Sequence, residues 1–395
     1  MLTPFLVSLV VFTAVLFLAR SLKLVDLIVN KDVPAGDILL LFSYLIPKFL
    51  ELAIPMSLLL GVIVSFGRLS SDSEIVVMRA VGINLKRMAV PVFIFAFLCC
   101  LLTVTIGLWV RPATNFRLNN GVYEIAKTQA TAGLVEGIFN DLGQMTIYAE
   151  HVQDKGSQLQ NVIIADRRNP DETKAFFAKH GQFISNDIER TLTLRLYDGL
   201  IQMGSGLNRS ITFFDINNFN LQQGELFDHE NSKGKRSDEM YLHELTSEIA
   251  VLEGLIPKTD AANKERSQKR ASYLVELHSR FAIPVSCLCV AFIALALGIQ
   301  PSRGGHSWGA IVSVLAGVVV IIGYYLMLAI LRVLGENMVI PPFLAAWLPN
   351  LIFFGLAFYL FKKVGSESWL AVSEAFGDLI SRVVSKLGLK QTKIN

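Results

Sequence analysis

Between Gly67 and Gly82 the chain carries Arg68, Asp72, Ser73, Glu74, Met78 and Arg79 among apolar neighbours. Ser71-x-x-Glu74 has the spacing of a capping box, in which a hydroxyl and a carboxylate satisfy free backbone N–H groups at a helix start. Gly82 suits the residue just past a helix end. The enclosed helix has about two turns, too few to hold its form alone in water, and would expose Ile75, Val76 and Met78. The spacing fits two outcomes equally. The helix folds back onto a membrane surface, or it enters a groove of a partner with the Glu74 carboxylate offered to an arginine. Capping and pairing compete, because a carboxylate bonded to its own helix has less to give a partner.

Other chemistry-bearing residues are sparse. Arg20 and Lys23 lie three apart at the end of the first apolar run and share a helix face. There they can snorkel to lipid headgroups, which by itself leaves their role open. Glu51 is an acid within an apolar stretch, a position that suggests coupling to a gradient. With Lys48 one turn earlier, a helix-end ion pair is the expectation. His151, His180 and His229 have no Cys or carboxylate at ligand spacing, and Ser205 and Ser210 lie in no nucleophile elbow. Cys99, Cys100, Cys287 and Cys289 fall inside apolar runs, where they read as small packing residues. No Gly-x-x-x-x-Gly-Lys-Ser/Thr loop occurs, so energy must come from another subunit or a gradient. No catalysis, metal or cofactor is expected of this chain.

The elements that would position these residues follow from composition. Of 395 residues 52% are hydrophobic and 17% charged, against roughly 25% charged in soluble domains. Residues 112–280 hold 19 Lys+Arg and 23 Asp+Glu, a net of −4, while the rest carries +7. Two basic, apolar blocks thus flank a mildly acidic, soluble-looking centre, which excludes a single cytosolic globule and a nucleic-acid binder. Six runs, at 2–22, 46–66, 91–110, 281–299, 308–331 and 341–361, reach the roughly 20 residues that cross a bilayer as helix. Lys and Arg collect after the second run (Arg68, Arg79, Lys86, Arg87), after the fourth (Arg303) and after the sixth (Lys362, Lys363, Arg382, Lys386). The positive-inside rule places these loops and both termini in the cytoplasm, and the centre outside.

In that centre, 144–150, 161–166, 191–197 and 211–216 alternate apolar and polar residues between turn signals, the mark of a β-sandwich or barrel-like module. From 230 to 270 the chain is highly charged, with helical patterning near 241–252, and reads as a connector. The stretch 365–389 sets Trp369, Phe376, Ile380 and Val383 on one helical face with Lys386, Lys390 and Lys393 near its end, an interfacial helix on anionic lipid. The expected fold is a polytopic α-helical membrane protein of six spans with an inserted all-β domain. Its limits are 1–111 for the first three spans, 112–280 for the inserted domain and connector, 281–361 for the last three spans, and 362–395 for the tail.

The three-domain-three layout, the stretch 67–82 with its Arg-x-x-x-Asp-Ser-Glu and Arg-Ala-x-Gly, and Glu276-x-His278-x-Arg280 leading to Pro284 resemble the lipopolysaccharide-export permease family over essentially the whole chain. Arg20-x-x-Lys23 followed by Lys31-Asp32-Val33-Pro34-Ala35 looks more like its LptF branch than its LptG branch. The chain departs from the family where Met1 opens directly into the first run, without a basic amphipathic stretch, and at 300–305, which matches loosely. The resemblance implies a β-jellyroll outer domain in an inner-membrane heterodimer of paralogous permeases. It further implies a cytoplasmic ATPase dimer beneath, and periplasmic jellyroll bridge proteins that receive lipopolysaccharide. It places Asp72-Ser73-Glu74 in a coupling helix that meets the ATPase, and Arg20 and Lys23 where basic residues face substrate phosphates. The implied function is ATP-driven export of lipopolysaccharide from the membrane. The rival readings are a mechanotransmission permease, or a membrane-tethered sensor, that moves no lipid.

Overall fold

The computed structural model describes residues 1–28, 34–132, 134–142, 145–153, 157–167, 174–187, 190–204, 210–220, 235–254, 261–299 and 308–363. The loop at 300–305, His229, Ser205 and the interfacial helix at 365–389 lie outside them. The chain divides into two compact units.

The first unit comprises Met1–Arg20, Leu45–Thr114 and the chain from Ser237 onward. Its helices are α1 (Leu2–Ile28), α2 (Ala35–Ser71), α3 (Glu74–Ala80), α4 (Leu85–Thr105), a π-helical turn (Ile106–Val110), α5 (Arg111–Ala132), α6 (Leu242–Gly254), α7 (Ala261–Gly298), α8 (Trp308–Glu336) and α9 (Pro342–Lys363), with α1, α2 and α5 running on into the second unit. Among the described residues six stretches are long and apolar enough to cross a membrane: Leu2–Arg20, Gly36–Ser71, Leu85–Ile125, Lys264–Gly298, Val312–Glu336 and Pro342–Lys362. They correspond to the six expected runs, several of them lengthened by polar turns at their ends. Prolines at 47, 55, 91, 284 and 349 stay within helices. Such breaks are tolerated where neighbouring helices and hydroxyls take up the freed backbone groups. Ser57, Ser65 and Thr103 donate to carbonyls four residues back at 2.6–2.8 Å.

The core packs Leu58, Leu59, Val62 and Ile63 of α2 against Val92 and Ala96 of α4 and Cys287, Ala291 and Leu295 of α7. All four cysteines are free and buried. Small residues in the fifth span permit close helix approach: a Cβ on Gly317 would lie 2.6 Å from Ile63 and 2.8 Å from Leu59. The charged connector is helical where its pattern suggested. The Tyr241 N–H donates to the Glu244 carboxylate at 2.9 Å to start α6, which buries Leu245, Ile249 and Leu252 beside Tyr273 of α7.

The second unit comprises Ser21–Tyr44 and Asn115–Arg236. It holds strands β1 (Phe139–Leu142), β2 (Met145–Gln153), β3 (Gln158–Asp166), β4 (Lys174–Asn186), β5 (Thr191–Met203) and β6 (Ser210–Asn220). These form one antiparallel sheet paired in chain order. Among the described residues this is a meander, without the crossing connection of a Greek key. Each alternating stretch of the sequence falls within a strand, except that Gln144 lies outside the described residues. Alternation does not mark β4 as clearly, because its buried positions shift phase between Ala178 and Phe183. One face buries Ile147, Leu159, Ile164, Leu194 and Leu196. Asp187, just past β4, accepts from Lys127 at 2.7 Å and from Tyr123 at 3.1 Å, both on α5. His151 pairs through Nδ1 with Glu136. That hydrogen bond holds the imidazole above its usual range and the carboxyl below its own.

Candidate functional site

The stretch 67–82 is built differently from the expected capping box. Helix α2 continues through Ser71, so Ser71 caps nothing. Ser73 stands before α3 with φ 59°, in the left-handed region, and makes no side-chain cap bond. Glu74 is therefore the first residue of α3 rather than the third. Its carboxylate is not spent on the helix, which removes the competition between capping and pairing. The expected stop does form. Gly82 adopts φ +88°, its N–H bonds to the Arg79 carbonyl at 3.0 Å, and the Ile83 N–H reaches the Met78 carbonyl at 3.0 Å, the two bonds of a Schellman motif.

The apolar face is also corrected. Ile75 is buried at 3% exposure in the membrane-unit core, and Met78 packs against that core, while Val76 and Val77 are exposed. A helix too short to persist alone is thus held by its own chain. It presents Glu74, Val76, Val77 and Arg79 outward. Arg68 and Asp72 form an exposed i,i+4 pair at 3.7 Å, a contact of little energetic weight.

Arg20 and Lys23 both lie on α1, three residues apart, and Arg20 is exposed. The side chain of Lys23 lies outside the described residues.

The motif Glu276-x-His278-x-Arg280 separates. His278 leaves the charged group and meets the Phe343 ring edge-on at 5.4 Å. Glu276 and Arg280, one turn apart on α7 and both fully buried, enter an ion cluster. Glu276 accepts from Arg111 at 2.7 Å, Arg332 at 2.9 Å and Arg280 at 3.3 Å. Arg111 also binds Glu51 at 3.1 Å, and Arg332 binds Glu336 at 2.9 Å. Arg280 completes its fork on the carbonyls of Met240 at 2.8 Å and Ser237 at 2.7 Å. Three acids and three guanidiniums thus balance in charge while joining α2, α5, α7 and α8 to the segment ahead of α6. Arg111 follows directly on the π turn, with its N–H on the Ile106 carbonyl; such turns recur at functional sites.

This overturns the local pairing expected for Glu51. Lys48 instead approaches Asp238 at 3.7 Å, and Glu51, at 2% exposure, belongs to Arg111. Glu51, Arg111, Arg332 and Glu336 are the cluster members that motif reading did not join. The available signal was that each is an ionisable residue in or beside an apolar run, where partners are obligatory. Glu51 and Ser71 are 20 residues apart on α2, about 30 Å of helix, which matches the hydrocarbon thickness. The ion cluster and α3 therefore lie at opposite ends of the membrane-crossing part of the bundle.

Residues 1–363 match the family model "Lipopolysaccharide export system permease LptF/LptG". The chain is 22% identical over 363 residues to the lipopolysaccharide export system permease protein LptF of Escherichia coli K12, covering 90% of each. It is 23% identical over 300 residues to an uncharacterized protein of Rickettsia prowazekii, covering 73% of this chain and 76% of that one. Likeness to LptG of Escherichia coli K12 is 31% over 108 residues, 27% of this chain and 30% of the relative. A match that takes in all six spans and the inserted sheet alike makes this chain a member of the lipopolysaccharide export system permease LptF/LptG family.

Proposed function

We propose that the chain is a non-catalytic transmembrane permease subunit of an ATP-driven lipopolysaccharide exporter in a bacterial inner membrane, with both termini in the cytoplasm. A paralogous permease completes the transmembrane part, and a cytoplasmic ATPase dimer drives it. The sheet, within the domain at 112–280, hands the lipid to periplasmic bridge proteins of similar β architecture. The spans at 1–111 and 281–361 enclose the lipid, and the tail at 362–395 lies on the cytoplasmic side.

The observation that carries this reading is α3. It is fixed to the core by Ile75, and its free acid Glu74 faces outward about one membrane thickness from the ion cluster. A cytoplasmic partner gripping Arg68, Asp72, Ser73, Glu74 and Arg79, with Met78 tying the helix to the core, would move α2 as a lever. Each methylene taken from hydrocarbon into water costs about 0.8 kcal/mol, so a lipid with several acyl chains must slide along apolar protein surface. The mostly exposed apolar α1 fits a lateral wall of such a cavity. Within the second unit, Ile211 and Phe213 on β6 are exposed apolar side chains.

Arg20 and Lys23 supply cations at headgroup depth, and the arginine fork suits phosphate. Photocross-linking to lipopolysaccharide from a probe beside these positions tests the reading. The Arg20→Ala/Lys23→Ala pair is expected to lower the adduct several-fold. An adduct at the wild-type level would refute the phosphate role.

A further inference from the structure

We propose that the groove between α4, α7 and α9 holds an anionic glycerophospholipid, one acyl chain lying along its phenylalanines and the phosphate on Lys86. The proposal stands apart from the transport reading, since it needs only that these helices cross a membrane. The groove has a volume of about 610 Å³ and is lined by Lys86, Val90, Phe93, Ile94, Phe97 and Leu98 of α4, together with Leu288 and Phe292 of α7 and Phe361 of α9. Lys86 is the one charged side chain in the lining.

The floor is firm. The Phe292 ring stands 4.2 Å from Phe93 and 5.8 Å from both Phe354 and Phe361, so the hollow is held by interlocked rings. From Lys86 to Leu98 is twelve residues, about 18 Å of helix, slightly more than one leaflet of a hydrocarbon core about 30 Å thick. An apolar hollow offers water no partners, and left empty it forfeits dispersion contacts along its whole wall. An acyl chain meets both conditions.

The charge sets the class of headgroup. Lys86 is exposed in the first turn of α4 and pairs with no carboxylate among the described residues. Lys362 follows the lining residue Phe361 and sits 5.0 Å over the Phe358 ring, adding a second cation at the same end. A juxtamembrane lysine favours an anionic over a zwitterionic headgroup by roughly fivefold.

The test is native mass spectrometry of the full-length chain, with the partners it carries from the membrane, titrated with phosphatidylglycerol or phosphatidylcholine. Wild type is expected to retain one phosphatidylglycerol in preference to phosphatidylcholine. Lys86→Ala should cut that preference roughly fivefold, and Val90→Trp, which fills the groove from a position 53% exposed, should remove the retained lipid of either kind. Ile94→Trp, 58% exposed in the same lining, is the second filling variant should the first misfold. Equal retention of both lipids by wild type would overturn the proposal. So would undiminished phosphatidylglycerol in the filled variants, or a groove covered by another protein chain with no lipid retained.

Discussion

Replacing Glu276 by alanine is expected to unfold the membrane unit in detergent well below the wild-type melting temperature. Glu276 is fully buried and is the acid shared by Arg111, Arg280 and Arg332. Its loss leaves three guanidiniums facing Glu51 and Glu336 alone, an uncompensated charge in a low-dielectric site. Removing one partner from a buried pair costs about 3–5 kcal/mol, a large share of the roughly 5–15 kcal/mol that separates folded from unfolded states. Glu336→Ala is the contrast. Glu336 is a third exposed and holds only Arg332, so its removal should cost about 1 kcal/mol or less. Thermal melts of the two purified variants distinguish a shared hub from an ordinary surface pair; equal melting temperatures would discard the hub.

Charge reversal by Glu74→Lys should have the largest effect on assembly while leaving the fold intact. The side chain is exposed and forms no ion pair among the described residues; its first-turn place on α3 is worth about 1 kcal/mol or less, so melting should change little. In the proposed complex Glu74 pairs with a cation of the ATPase. Truncating one member of a buried interfacial charge pair costs about 2–5 kcal/mol, roughly 30-fold or more in affinity, and reversal adds repulsion. Co-purification with the ATPase is the measurement. Association at the wild-type level would reduce α3 to a turn between spans.

These two sites differ in how far they could be read in advance. The spans were legible because twenty apolar residues in a row leave the backbone no alternative in lipid. The strands at Met145–Gln153 and Thr191–Met203 were legible because one face is buried and the other is not. Gly82 was legible because a helix end needs a residue that tolerates positive φ. The capping box misled because Ser-x-x-Glu is a local pattern, and α2 ran on through its serine. Ile75 was read as exposed because a two-turn helix gives no sign of which neighbour covers it.

The ion cluster was hidden for the opposite reason. Arg111 is 60 residues from Glu51 and 165 from Glu276, whereas Lys48 is only three from Glu51. Nearness in sequence suggested the wrong partner, and packing brought α5 and α7 to the right one. The sharper rule is that an acid in or beside an apolar run is matched first with arginines in or beside the other runs, wherever they lie in the chain. Glu51, Arg111, Glu276 and Arg332 all meet that description.

The proposed function rests on force entering through α3 to move lipid that this chain cannot move alone. The most direct test reconstitutes the chain and its partner permease in liposomes containing lipopolysaccharide, and follows transfer to a soluble acceptor when ATP is added. Transfer is expected with the ATPase bound, to vanish when the ATPase is omitted, and to be lost with Glu74→Lys. Transfer at the same rate by the permeases without the ATPase would contradict it.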